Sequence, residues 1–276
     1  MLMQQKKMPF NTERTEVKAW EKISIVRNAS RPSAMHLIDN LFDDFMELHG
    51  DRLYRDDNAL IGGLAFFNDV PVTVIAQERG RNLKEQQMRN YAMVHPEGYR
   101  KVKRLALQAE RFMRPVICIV DTPGAYPGIG AEERGQAEAI AQCLLMFSSL
   151  KTPVVSIIMG QGGSGGALAL GTADKVFMFE NATYSVISPE GFASICWKDA
   201  SKAQEASEIM RITAEDLIEL GIIDEIIPEV SGGLHCDPEY SYEILRERIV
   251  WALDVLLQMT PESLVAVRKH KLRHVI

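Results

Sequence analysis

The sequence lacks several features that would place it in other classes of protein. Its 276 residues contain four cysteines with no C-x-x-C pair, which favours reduced thiols over a disulfide framework or a zinc site. No run approaches the roughly 18–20 apolar residues that span a membrane, and residues 1–10 lack the apolar core of a signal peptide. The net charge of −6 argues against nucleic acid as the main ligand. We therefore expect a cytoplasmic protein that binds no metal and no membrane.

Glycine, by contrast, is concentrated in one segment, VVSIIMGQGGSGGALALG at residues 154–171. The β-branched run at its start predicts a buried strand, and the alanines and leucines at its end predict a helix. Five glycines between residues 160 and 166 therefore lie on a strand-to-helix bend. The first amides of such a helix have no internal acceptor and carry the positive end of its dipole, so the bend can hold an oxyanion. The alternative is that these glycines only allow close packing of the helix on the sheet.

Strands and helices alternate along most of the chain. We predict strands at residues 60–67, 70–77, 115–120, 154–158, 175–179 and 221–228, the first two joined by a turn at Asn68-Asp69. We predict helices at residues 13–27, 33–48, 99–112, 132–150, 201–220 and 240–259, followed by a basic tail at 268–274. This alternation is typical of an α/β fold with right-handed βαβ crossovers, here one domain with terminal extensions.

A second bend, DTPGAYPG at residues 121–128, also follows a predicted buried strand. Ligands of parallel α/β sheets bind at the carboxyl ends of the strands, so both bends are expected to line one cleft with backbone amides. Asp121 either caps its turn or takes part in catalysis, and Glu190 either complements a helix start or contacts a ligand. The basic residues between 79 and 104 form either a solvated helix face or a contact for an anionic group such as phosphate.

Other chemistries fit the glycine segment less well. Ser164 satisfies the nucleophile-elbow pattern G-x-S-x-G, but a serine hydrolase also needs an acidic residue and a later histidine. The histidines after it, His235, His270 and His274, all lie in polar terminal segments. No Lys-Ser/Thr follows the glycines, the dinucleotide fingerprint is absent, and no cluster has metal-ligand spacing.

Several blocks together resemble one known family. The blocks are GDR at 50–52, PEGYRK at 96–101, DTPGAYPG at 121–128, GAEERGQ at 130–136, GGSGGALA at 162–169 and YSVISPEG at 184–191. In this order they resemble the α subunit of bacterial acetyl-CoA carboxylase carboxyltransferase, over residues 31–228. Gln161 departs from the pattern, since some members carry Glu there, which changes a charge and no backbone donor. The N-terminal arm and the region after Gly232 match less well.

The resemblance implies a crotonase-like fold of repeated β-β-α units with helical extensions at both ends. It implies a helical arm at residues 1–35, a carboxyltransferase domain at 36–230 and a helical extension at 231–276. The implied reaction transfers a carboxyl group from carboxybiotin, carried on biotin carboxyl carrier protein, to acetyl-CoA, giving malonyl-CoA for fatty-acid synthesis. The implied assembly is an α₂β₂ heterotetramer whose β subunit holds zinc and most acetyl-CoA contacts, with biotin carboxylase in the wider complex and no covalently bound cofactor in this chain.

The resemblance and the bend geometry together assign the candidate residues. Gly165 and Gly166 are expected to bind the biotin ureido oxygen, and Gly124 and Ala125 are their partners across the cleft. The expected substrate-binding residues, two of which shape the loop, are Gly162, Gly163, Ser164 and Tyr126. The alternatives are a crotonase-fold hydratase or decarboxylase acting alone on an acyl-CoA, a serine hydrolase using Ser164, and a non-catalytic interaction subunit.

Overall fold

A computed structural model describes residues 17–273 of the chain. Eight of its strands form one sheet in the order β1-β2-β3-β4-β5-β6-β8, and β7 pairs with β5 beside this path. The strands are β1 Asp43–Glu47, β2 Leu60–Phe67, β3 Val70–Gln77, β4 Val116–Thr122, β5 Val154–Gly163, β6 Lys175–Phe179, β7 Thr183–Ser185 and β8 Glu225–Ile227.

Helices follow most of the strands and cover the sheet. They are α1 Ala19–Val26, α2 Ala34–Leu41, α3 Leu83–Met88, α4 Pro96–Arg111, α5 Ile129–Glu133, α6 Gln136–Ser149, α7 Ser164–Gly171, α8 Pro189–Trp197, α9 Ala203–Ile209, α10 Ala214–Glu219, α11 Pro238–Leu256 and α12 Pro261–Arg273. Short 3-10 turns lie at Asn90–Ala92 and Ala200–Lys202.

The sheet is antiparallel at one edge and parallel elsewhere. β1, β2 and β3 are antiparallel neighbours, whereas β3, β4, β5, β6 and β8 run parallel. The turn between β2 and β3 lies at Asn68 and Asp69, both with positive φ, as predicted. All seven residues of β4 are buried, which explains why its sequence is a continuous apolar run.

The strand β5 changes partner along its length, and this places the candidate site. Its first half pairs with β6 at residues 155–158, and its last three residues, 161–163, pair with β7. On its other side, Gly162 pairs with Thr122 at the end of β4. The bends that follow β4 and β5 therefore leave the sheet next to each other.

The prediction of a helix over residues 33–48 is wrong beyond Leu41. The helix α2 ends there, and residues 43–47 form the edge strand β1 instead. Leu37 and Leu41 are buried as expected, but Phe45 continues the helical spacing by coincidence. Because β1 pairs only with β2 and is mostly exposed, it lacks the apolar run that identifies a buried strand.

Four other predicted segments differ in detail or extend beyond the described residues. The helix at 132–150 is interrupted at Gly135, whose φ of 81° is left-handed, and the segment 201–220 is broken before Thr213, which caps α10 through a capping box. Residues 268–273 of the expected basic tail belong to α12, and residue 274 lies outside the described range. The first part of the predicted helix 13–27 also lies outside that range, and α1 covers its remainder.

Two buried ion pairs join the terminal segments to the sheet. Arg31 pairs with Glu229 at 2.7 Å and donates to the carbonyl of Met159 on β5, at 2.8 Å. Arg268 of α12 pairs with Asp174 at 2.6 Å. The division into segments 1–35, 36–230 and 231–276 remains a prediction.

Within residues 17–273, no single helix is both long enough and apolar enough to cross a membrane. The helices α11 and α12 reach the required length and apolar composition only when taken together, and they are bent by 119° relative to each other.

Candidate active site

The structure brings the two bends into direct contact. A methyl group built on Gly163 would lie 2.1 Å from the carbonyl oxygen of Pro123, and one built on Gly166 would lie 2.7 Å from the amide nitrogen of Ala125. Contacts this short leave room only for hydrogen. Gly163 and Gly166 are therefore glycine because the backbone of the other bend occupies the side-chain position.

Amides without a hydrogen-bond acceptor lie in both bends. The helix α7 begins at Ser164 directly after β5, and no side chain caps it, so the amides of Ser164, Gly165 and Gly166 have no acceptor within the helix. Across the contact, the amide of Ala125 has no hydrogen-bond acceptor among the described residues. Main-chain donors arranged in this way can stabilise an oxyanion.

The amide of Gly124 has a different role from the expected one. It donates to Oγ1 of Thr122 at 3.1 Å, so it is engaged within its own loop. The Thr122 hydroxyl in turn lies 2.6 Å from the carbonyl oxygen of Ala92. Gly124 has a φ of 152° and open space where a side chain would be. It is glycine for its backbone conformation, and Ala125 carries the free donor.

Asp121 holds the start of the glycine-rich bend. Its Oδ1 accepts a 2.9 Å hydrogen bond from the amide of Gln161, and a methyl group on Gly160 would lie 2.2 Å from the same oxygen. Its Oδ2 lies 3.7 Å from Nε of Arg79. These contacts favour the turn-supporting role of Asp121 over the catalytic one.

Two buried side chains that the sequence analysis did not single out pack against Gly166 in the glycine-rich bend. Nε2 of Gln77, the last residue of β3, donates to the carbonyl of Gly166 at 2.7 Å. Oη of Tyr99, in the first turn of α4, lies 2.9 Å from the position of a Gly166 methyl group. Tyr99 belongs to the PEGYRK block, which was the available signal. Gln77 ends a strand beside β4, and only the strand order reveals its position.

Tyr126 lies on the rim of the bends. Its amide donates to the carbonyl of Val94 at 3.1 Å, and its ring stacks on His95 with centroids 4.1 Å apart. Nε2 of Gln136 donates to the carbonyls of both Val94 and Tyr126. The ring position of Tyr126 is therefore fixed by its neighbours.

Ser164 is exposed and has a positive φ of 54°. Strain of this kind also occurs at nucleophile elbows. Within residues 17–273, however, no hydrogen bond joins its hydroxyl to a histidine, and His235 instead contacts Asn28 at 3.3 Å. His274 lies outside the described residues. The structure thus does not assemble a hydrolase triad from the described residues.

Several basic residues around α4 are paired with carboxylates of this chain, whereas Lys103 contacts Gln142 and Arg104 contacts backbone carbonyls. The pairs are Arg100 with Asp51 at 2.8 Å, Lys101 with Asp56 at 2.8 Å, and Arg134 with Glu97 at 3.0 Å. Burial opposes ionisation of Asp56, but hydrogen bonds from Lys101 and the Gly50 amide lower its pKa to about 2. These ion pairs favour a structural role for the paired basic residues over a phosphate site. Glu190 is also paired: it contacts Arg27 at 2.6 Å, and this bond lowers the pKa of Glu190.

The overall fold is shared with solved structures. The structure is similar to transcarboxylase 12S, with a TM-score of 0.69 and 18% identity over 87% of this chain and 44% of that one. It is also similar to a Pseudomonas malonate decarboxylase hetero-tetramer subunit, with a TM-score of 0.62 and 19% identity over 76% of this chain and 84% of that one. The expected crotonase-like α/β fold is confirmed.

The family follows from the sequence. A model of the acetyl co-enzyme A carboxylase carboxyltransferase-like family matches residues 2–276. The chain is 52% identical over 256 residues to the acetyl-coenzyme A carboxylase carboxyl transferase subunit alpha of Clostridium botulinum (strain Alaska E43 / Type E3), covering 93% of both chains. It is 53% identical to the subunit alpha of Listeria monocytogenes serotype 4a (strain HCC23), covering 93% of this chain and 81% of that one. The chain belongs to this family and is a carboxyltransferase, as the motifs indicated.

Proposed function

We propose that this chain holds the oxyanion site for carboxyl transfer from carboxybiotin, on biotin carboxyl carrier protein, to acetyl-CoA, forming malonyl-CoA for fatty-acid synthesis. The observation that supports this most is the contact of the two amide-bearing bends, with the Gly166 methyl position 2.7 Å from the Ala125 amide. Carboxyl transfer generates oxyanions, and backbone amides held in a buried site stabilise them without reorganisation.

The substrates supply their own base in this proposal. Release of CO₂ from carboxybiotin leaves negative charge on the ureido oxygen, and the freed N1 takes a proton from the acetyl methyl group. The resulting enolate carbon attacks CO₂. This chain therefore needs donors and no acidic or nucleophilic side chain, which agrees with a site whose central groups are amides.

Each candidate residue has one role. The amides of Gly165, Gly166 and Ala125 bind the ureido oxygen, and removal of one such donor typically lowers the rate by about 10²–10³-fold. Gly124 sets the conformation of its bend. Gly162 and Gly163 shape the other bend, and Ser164 and Tyr126 contact the substrate at the rim.

The name subunit alpha carried by the relatives supports a β-subunit partner, and a structural neighbour is a hetero-tetramer. We extend the proposal to an α₂β₂ assembly in the cytoplasm, with zinc and most acetyl-CoA contacts on the β subunit. The carrier protein presents carboxybiotin as a substrate, and biotin carboxylase acts in the wider complex.

The test is co-expression with a candidate β subunit, followed by malonyl-CoA-dependent carboxylation of free biotin. We expect activity from the purified complex and none from either chain alone. A well-formed complex without activity contradicts the proposal. Turnover of a CoA ester by this chain alone, without biotin, indicates a hydratase or decarboxylase instead. Labelling by a fluorophosphonate that Ser164→Ala abolishes indicates a hydrolase.

Gly166→Val tests the site itself. The valine Cβ would lie 2.7 Å from the Ala125 amide and force the bends apart. We expect at least a 100-fold loss of transfer in a complex whose tetramer, measured separately by size-exclusion chromatography, is intact. Near wild-type transfer in an intact tetramer places the oxyanion site elsewhere.

A further inference from the structure

The peptide group that joins Gly124 to Ala125 carries one of the candidate donors. Its N–H, the amide of Ala125, has no acceptor among the described residues, and Ala125 is only half-buried. A trans peptide group is planar, so its N–H and its C=O point in opposite directions. The direction of the Ala125 N–H is therefore fixed by whatever holds the carbonyl oxygen of Gly124.

The hydroxyl of Thr122 is placed to hold that carbonyl. It has two carbonyl acceptors, that of Ala92 at 2.6 Å and that of Gly124 at 2.8 Å, and it accepts a 3.1 Å hydrogen bond from the Gly124 amide. Thr122 is 0% exposed, and its backbone is fixed at the end of β4, where it pairs with Gly162. Because Gly124 has no side chain that could resist rotation of its peptide groups, a hydroxyl on both sides of this residue restricts them.

The segment that faces Thr122 is itself held in an unusual conformation. Residues 90–92 all have positive φ, between 47° and 65°, although none of them is glycine. Such strain persists only where the surroundings fix it, and it is common beside functional sites. This turn contacts the bend through Ala92, and just beyond it the carbonyl of Val94 accepts from the amide of Tyr126 at 3.1 Å. The bend is thus attached to one rigid segment on both sides of its free amide.

We propose that Thr122 is a positioning residue of the oxyanion site, whose hydroxyl holds the Gly124 carbonyl and thereby directs the Ala125 N–H into the cleft. The inference rests on the proposed function and deepens it. Thr122 is buried and acts through the peptide group, without touching the substrate. Without the hydroxyl this peptide group can rotate, and its N–H faces the forming charge only part of the time. Because that charge develops in the transition state, the loss should lower kcat and leave KM nearly unchanged.

The test is Thr122→Val in the α–β complex, assayed by malonyl-CoA-dependent carboxylation of free biotin. Valine has nearly the shape of threonine and lacks the hydroxyl. We expect kcat to fall by about 10–100-fold, with a change of less than about twofold in the KM for malonyl-CoA. Thr122→Ala removes the hydroxyl without placing a methyl group beside the Ala92 carbonyl, and it should lose kcat to a similar extent. Thr122→Ser keeps the hydroxyl and should restore kcat to within about threefold of wild type.

Thr152→Val is the matched control. Thr152 is 1% exposed, and its hydroxyl donates to the carbonyl of Arg114 at 2.8 Å. It precedes β5, at the end of this strand that is remote from the bends. Both valine variants lose a buried hydrogen bond from a hydroxyl to a carbonyl, so their Tm values should fall by a similar amount, about 2–6 °C. The kcat of Thr152→Val should stay at the wild-type value.

Three results would overturn the inference. The first is wild-type kcat in an assembled Thr122→Val complex. The second is a Thr122→Ser variant as slow as Thr122→Val, because the hydroxyl is then not responsible for the loss. The third is an equal loss of kcat in Thr152→Val, since the loss then follows stability and not the direction of the amide. An inactive wild-type complex contradicts the proposed function itself and is recognised before any variant is compared.

Discussion

Two regions of the molecule contain buried polar groups: the side chain of Arg268, and the contact between the bends that follow β4 and β5, which we call the seam. The polar groups of Arg268 are hydrogen-bonded, whereas two donors at the seam are not. All five N–H groups of Arg268 are used: two bond Asp174, and three bond the carbonyls of Phe147, Leu150 and Thr152. At the seam, the Ala125 amide and the Tyr99 hydroxyl have no partner within residues 17–273.

The two regions lie at opposite ends of the same strand. Asp174, the partner of Arg268, also accepts from the amide of Val154 at 2.8 Å, at the start of β5. The seam lies where β5 ends and α7 begins. Hydrogen-bonded groups thus anchor the strand at one end, and donors without an acceptor lie beside the other. We therefore expect substitutions beside the start of β5 to change stability, and substitutions at the bend that follows β5 to change the proposed chemistry.

The largest effect that would test this comparison is loss of Arg268. Arg268→Met leaves the buried carboxylate of Asp174 without its ion-pair partner, so the free energy of unfolding should fall by about 3–5 kcal/mol. In a protein of this size that corresponds to roughly 10 °C in Tm. Urea unfolding and calorimetry measure the change.

The exposed neighbour Lys269 supplies the control, and Lys269→Met should change the Tm by less than about 1–2 °C. The kcat of the folded Arg268→Met complex should stay near wild type. A variant that keeps its Tm and loses kcat would break the comparison.

A smaller effect, on activity, is expected at Gln77. Gln77→Leu keeps the volume but removes the hydrogen bond that holds the Gly166 carbonyl. We expect kcat to fall about tenfold, or about 1.4 kcal/mol in the barrier, because misplaced donors stabilise the oxyanion less well.

The matched control is Gln142→Leu on α6, where Gln142 contacts Lys103 and Glu138 at the surface and should leave kcat unchanged. Equal rates for Gln77→Leu and wild type would show that the bend needs no support from β3.

The smallest effect is a pH dependence at Asp56. Its pKa is about 2 in the folded chain against an ordinary value of 3.8, so the unfolded state binds the proton first. Its stabilising pair with the fully buried Lys101 is therefore complete above about pH 5 and is lost as the pH falls toward 2.

Urea unfolding of wild type and Asp56→Asn at several pH values isolates this contribution. The stability gap between them should narrow by about 1 kcal/mol between pH 6 and pH 3. A gap that stays constant down to pH 3 contradicts the assigned pair.

The central strands could be predicted from sequence because burial on both faces leaves a continuous apolar run, as in β4 and β5. The hairpin at Asn68-Asp69 was predictable because its residues tolerate positive φ. β1 was missed because an edge strand with one partner has no such run, and Phe45 happens to continue the helical spacing of α2. Local pattern alone cannot separate these cases.

The location of the candidate site could be predicted from the sequence, but which backbone amides are free to donate could not. Five closely spaced glycines located one bend, and the end of the preceding predicted strand located the other. That Thr122 occupies the Gly124 amide and leaves Ala125 free depends on side-chain contacts within the folded loop. Arg268 appeared as part of a basic tail because its partner Asp174 is 94 residues away.

The most direct test of the main-chain mechanism compares two substitutions at Gly165 in the assembled complex. Gly165→Ala keeps the amide, and its methyl group meets only Ile140 at 3.5 Å, an ordinary contact. Gly165→Pro removes the N–H in the first turn of α7, where a helix tolerates proline. We predict that alanine lowers kcat less than tenfold and that proline lowers it by about 10²–10³-fold in an equally stable tetramer. Equal rates for the two variants would contradict the account.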